Sequence, residues 1–166
     1  MSKVKPIRLE KSAGELLWYD GGLITFKATG AQTAGAILLF EAWMPRGKAT
    51  PLHTHLESDE SFYVIEGEIL TFIDGERGQA GPGGVIIVPR GIPHAFAVTS
   101  DSARLLVAHS PASSITEAFF RATGEPASSA TLPPWAKPDL QQTIAAAKSA
   151  GLQVLGPPPF EALVNA

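Results

Sequence analysis

The chain has 166 residues, 45% hydrophobic and 17% charged, with a formal net charge of -3. That balance suits one folded domain with its own core and gives no electrostatic reason to bind nucleic acid or an anionic membrane surface. Cysteine is absent, which excludes disulfides, thiolate catalysis and cysteine-held zinc.

Lys3, Lys5, Arg8 and Lys11 make a thin basic start with no apolar stretch behind them, and the apolar run at 34–44 is too short to cross a bilayer and contains Glu41. No membrane partner is expected, and the cytoplasm is the default location. Residues 18–112 are short Val, Ile, Leu, Thr and Phe runs broken by Gly, Pro and Asp-Gly, which is the grammar of an all-β chain. Strands are predicted at 23–29, 36–44, 61–65, 68–73, 85–88, 94–98 and 103–109, with turns at Asp20-Gly21 and Asp74-Gly75 and a tight corner at Glu66-Gly67. In the second of these strands Ala36, Leu38, Phe40, Ala42 and Met44 share one apolar face. The other face carries Glu41 but also Ile37, Leu39 and Trp43, a surface for the tail or a second subunit to cover.

The last third changes character. Ser114 and Glu117 have the spacing of a capping box, which predicts a helix through Phe119 and Phe120 that Gly124 stops. Pro126, Pro133 and Pro134 mark a loop, and Pro138 is placed to open a second helix over 139–150, closed by Gly151. Residues 113–166 hold too few apolar side chains for a core of their own, so they are expected to pack on the outside of a barrel spanning about 20–112.

The candidate chemistry lies in two glycine-bracketed segments. Gly47, His53, His55, Glu60 and Gly67 make the first; Gly83, Pro89, Gly91 and His94 make the second. On a strand His53 and His55 face one side, Glu60 can add an anionic oxygen, and His94 can close the site from a later strand. Glu57 and Asp59 are rival carboxylates. Strict alternation would put Glu57 with the histidines, whereas a turn at Ser58-Asp59 would reset the phase in favour of Glu60. Three neutral imidazoles and one carboxylate around one divalent transition ion leave a charge of +1, which an anionic substrate oxygen would neutralise. Nickel, iron, cobalt, manganese and zinc all suit such donors. Phe40, Met44, Phe62 and Phe96 are expected to point inward and to wall a pocket for a flat aromatic substrate. His109, outside both segments, reads as a partly buried hydrogen-bonding residue able to support the site.

This spacing resembles the two motifs of the cupin superfamily at each motif position but the last, where the family usually has Asn after three intervening residues and this chain has Val98. The resemblance implies a double-stranded β-helix, the jelly-roll barrel, with short C-terminal helices outside it, and favours Glu60 as the carboxylate ligand beside His53, His55 and His94. Ser110-Pro111, the run from Glu117 to Arg121, Gly124-Glu125-Pro126 and Leu155-Gly156-Pro157-Pro158 are similar to the tail of bacterial single-cupin proteins related to quercetin 2,3-dioxygenase. That likeness implies a ring-opening dioxygenase that cleaves a flavonol with dioxygen and releases carbon monoxide, Glu60 also taking the hydroxyl proton. It further implies a homodimer. A non-enzymatic small-ligand binder and a metal-dependent isomerase are the alternatives the same scaffold allows.

Overall fold

A computed structural model of the chain describes residues 4–134 and 139–160. Its strands are β1 Glu15–Tyr19, β2 Gly22–Ala28, β3 Leu38–Pro45, β4 Leu52–Thr54, β5 Asp59–Glu66, β6 Ile69–Ile73, β7 Glu76–Ala80, β8 Val85–Val88, β9 His94–Val98, β10 Ser102–Ser110, β11 Glu125–Pro126 and β12 Gln153–Gly156. The helices are α1 Ser114–Thr123 and α2 Leu140–Ser149. One antiparallel sheet runs β11-β1-β2-β3-β10-β5-β8 and the other β12-β4-β9-β6-β7. Phe40 and Leu105 of the first share a buried cluster with Ile69 and Val98 of the second, so the core lies between the sheets.

The turn chemistry holds where it was expected. Asp20 and Gly21, with φ of 45° and 77°, join β1 to β2, and Asp74 and Gly75, with φ of 50° and 85°, join β6 to β7. At the Gly67 corner φ is 78°, and a Cβ would sit 2.1 Å from the Ser102 carbonyl oxygen, so only glycine fits. In β3, Leu38, Phe40, Ala42 and Met44 are buried, but Ala36 lies before the strand and is exposed. Turns held by Thr29 and Thr33 occupy the chain there. Ile37, Leu39 and Trp43 are half-buried, and the Arg104 guanidinium lies 4.4 Å over the Trp43 ring and 3.4 Å from Glu41. More exposed apolar side chains lie elsewhere, among them Tyr63 on β5 and Val85 and Ile87 on β8.

Five strands lie outside the predicted ranges, although β4 holds the histidine segment read as extended. β7 has no apolar face and forms because the Asp74-Gly75 hairpin folds it onto β6. β4 is short, and β11 and β12 arise from the tail, pairing with β1 and β4 respectively. The cap of α1 is Ser113 rather than Ser114: its extended backbone lets Oγ accept from the Thr116 amide at 3.1 Å, while Glu117 pairs with Arg121 at 3.0 Å. Gly124 ends that helix as expected. Asp139 caps α2, which starts at Leu140; the expected role of Pro138 falls outside the described residues. Gly151, with φ of 89°, follows its last turn.

The tail does more than pack on the barrel. Phe119 and Phe120 of α1 lie 5.3 Å and 5.4 Å from the Tyr19 ring, and Ala147 of α2 joins the same cluster. Among the described residues no helix is long and apolar enough to cross a membrane.

Candidate metal centre

Strand pairing brings the four histidines and Glu60 together. His53 on β4 lies opposite His94 on β9, and Glu60 on β5 lies opposite His109 on β10. His55 follows the end of β4. The phase question is answered by where β5 starts: from Asp59 onward Glu60, Phe62 and Val64 point inward, while Asp59 turns out to accept from the Arg90 backbone amide at 2.9 Å. Glu57 is exposed on the preceding loop.

The candidate donor atoms of His53, His55, Glu60 and His94 all lie within 4.8 Å of one another, and all four residues are buried. Donors about 2.1 Å from a shared ion stand roughly 3 Å apart side by side and about 4 Å apart across it, so a cluster spread over up to 4.8 Å would close in slightly around one. His94 Nε2 lies 2.7 Å from Glu60 Oε2, and His55 Nε2 lies 3.2 Å from the same oxygen. His53 Nδ1 and His94 Nδ1 are 2.8 Å and 2.9 Å from the carbonyl oxygens of Pro51 and Ile92. Donation to its carbonyl leaves His53 Nε2 as a lone-pair donor facing the cluster, whereas His94 Nε2, in hydrogen-bond contact with the Glu60 carboxylate, carries a proton that a metal ion would displace. His55 Nε2 is buried with no hydrogen bond, an orphan atom that a metal ion would satisfy. These residues fit a divalent transition metal.

Electrostatics treat the members of the cluster differently. Burial, with the neighbouring His94 adding to it, pulls His53 down to about 3, so its imidazole is neutral, as a metal ligand must be. Burial alone would raise the Glu60 carboxyl, but His109 and His55 outweigh it and hold the group well below the usual carboxylate range. His94 is also buried, yet its hydrogen bond to Glu60 lifts it above the ordinary imidazole value. His109 is fully buried, with Nε2 3.2 Å from Glu60 Oε1 and Nδ1 3.2 Å from Ser58 Oγ. It lies beside the Glu60 oxygen that faces away from His55 and His94.

The cluster opens on a cavity whose interior offers about 110 Å³ to the centres of water molecules. This is well above the roughly 10–15 Å³ that a single water requires, so the space can admit a small guest. Phe40, Met44, Phe62 and Phe96 all line it, together with His53, His55 and Glu60. So do Tyr19, Lys48, Phe119, Phe120 and Val154, which strand alternation within the motif region did not single out. The doublet Phe119-Phe120 in an otherwise mixed helix was the available signal; its destination was not.

Residues 35–109 match the Cupin domain family. Quercetin 2,3-dioxygenase of Bacillus subtilis (strain 168) is 28% identical over 121 residues, which are 73% of this chain and 35% of that protein. The match thus spans about a third of that relative's length. Among solved structures, an RmlC-like cupin from Shewanella frigidimarina aligns with a TM-score of 0.56 at 19% identity, over 69% of this chain and 97% of the other. Oxalate decarboxylase from Bacillus subtilis aligns with a TM-score of 0.57 at 19% identity, over 68% of this chain and 31% of the other. At these identities the two structures speak for the fold alone.

Proposed function

The chain carries a cupin domain at residues 35–109, and from that premise we propose that it is a metal-dependent dioxygenase of the quercetinase-like group, cleaving a flavonol or a similar enol-bearing aromatic. The observation that carries this reading is the buried His53, His55, Glu60 and His94 cluster at the wall of an aromatic-lined cavity. A divalent transition ion held by those four residues would supply Lewis acidity toward an enol oxygen and redox chemistry with dioxygen. Glu60 is the proton acceptor. Its Oε2 faces the histidine cluster, and a carboxylate there can take the proton of an entering hydroxyl, with His109 Nε2 3.2 Å from Oε1.

Phe40, Met44, Phe62 and Phe96 contribute shape and dryness. Their side chains flank a flat guest and exclude water, which strengthens every charge interaction at Glu60. The reading takes dioxygen as co-substrate, one domain over 1–166 and a homodimer as the working assembly.

The test is dioxygen uptake by protein loaded in turn with nickel, cobalt, manganese and iron, over a panel of flavonols. Uptake is expected with at least one pairing, and Glu60→Gln should lower it by about 10²-fold or more while metal content falls far less. No uptake across the panel would overturn the reading, and turnover without dioxygen would replace it with a metal-dependent isomerase.

A further inference from the structure

The cavity beside the histidine cluster presents an almost wholly apolar surface. Outside that cluster, five of the described residues that line it carry polar side chains, Tyr19, Lys48, Thr50, Thr116 and Thr143, and each is engaged by the protein itself. Lys48 Nζ pairs with the Asp20 carboxylate, and since Asp20 is not part of the wall, the ammonium is drawn away from a guest. Thr143 Oγ1 donates to the same carboxylate at 2.6 Å, and its side chain is also the hydrogen-bond partner of the Tyr19 hydroxyl. Thr50 Oγ1 accepts from the Phe96 amide at 3.0 Å, and Thr116 Oγ1 accepts from Ser113 Oγ at 2.9 Å.

The wall that remains is hydrocarbon. Phe120 lies 5.2 Å from Phe40 and 5.2 Å from Phe119, and Met44 and Ala147 line the cavity with them. A hydroxyl brought against such a wall gives up its hydrogen bonds to water and finds none in exchange, whereas a methyl of similar size gains from the same transfer. Polar partners are on offer at one end only, where His53, His55 and Glu60 line the cavity.

We propose that the cavity selects aromatics that are polar at one end only, with a single enol or hydroxyketone group directed to the histidines and Glu60 and a hydrocarbon remainder against Phe40, Phe119 and Phe120. The inference rests on the reading of the cavity as an aromatic-substrate site and narrows it. Polyhydroxylated flavonols bring hydroxyls to a wall that cannot satisfy them, and they are the disfavoured guests.

The experiment titrates 3-hydroxyflavone, without dioxygen, into the nickel-loaded protein beside two matched series of analogues. One series carries a single methyl and the other a single hydroxyl, each at the same position of the ring remote from the enol. At one position or more the methyl analogue is expected to bind within about threefold of the parent, and its hydroxyl counterpart about tenfold or more weaker. Three results would overturn the selectivity: a hydroxyl analogue that binds more tightly than both the parent and its methyl counterpart, affinities of the two series within about threefold of each other at every position, or rejection of both series alike. In each of these the parent compound still binds and the dioxygenase reading stands. Failure of every flavone to bind would overturn both.

Discussion

His53 shows how burial keeps an imidazole neutral. Its folded pKa of about 3 lies below the unfolded value near 6.5, so between those two the unfolded chain binds more protons than the folded one. Metal-free protein is therefore expected to lose stability as pH falls from about 6.5 toward 3, by up to roughly 1.4 kcal/mol per unit from this group, and to gain nothing from it above 6.5. Chelator-treated wild type should show that acid slope in thermal melts, and His53→Gln a flatter one; parallel slopes would contradict it. His109 acts at one remove. Because it contacts Glu60 Oε1 from a fully buried position, His109→Leu is expected to weaken metal affinity about 10–100-fold in a chelator competition, with His109→Gln, still a donor, recovering part of it. In the sequence His109 was visible only as a lone histidine ending a strand; its partnership depends on β10 pairing with β5 in register.

At the level of elements, the tail is where local signals were closest to right and still displaced. Ser113 and Ser114 are adjacent, and only the backbone at Ser113, extended with φ of -82°, can place a hydroxyl on the Thr116 amide. Ser113→Ala should cost about 1 kcal/mol in a denaturant titration, whereas Ser114→Ala should cost a few tenths at most. Equal costs would restore the other assignment. Strands with alternating burial such as β3 and β10 were legible because one face packs on the core. β7 and β12 were not, since neither owes its existence to its own pattern: one is delivered by a hairpin turn, the other by β4, where Val154 pairs with His53.

The molecule as a whole is a two-sheet barrel whose four candidate ligands come from β4, its trailing residue, β5 and β9, so a bound ion would tie both sheets together. Nickel or iron at a hundredfold excess over its dissociation constant is expected to stabilise the fold by about 2.7 kcal/mol, a rise in Tm of roughly 5–10 °C. His94→Gln should lose most of that rise, and a shift that survives the substitution would place the ion elsewhere. The residues of the buried donor cluster, the Asp-Gly hairpins and the inward phenylalanines could be read along the chain because side-chain alternation and left-handed turn residues are local physics. Contacts across long stretches of chain could not. That Glu60 rather than Glu57 joins the histidines, that Phe120 and Tyr19 complete a wall begun by Phe40, and that Asp20 ties Lys48 to Thr143 were settled only by packing. Each depends on where two sheets and two helices come to rest against one another, and no spacing between neighbours in sequence encodes that.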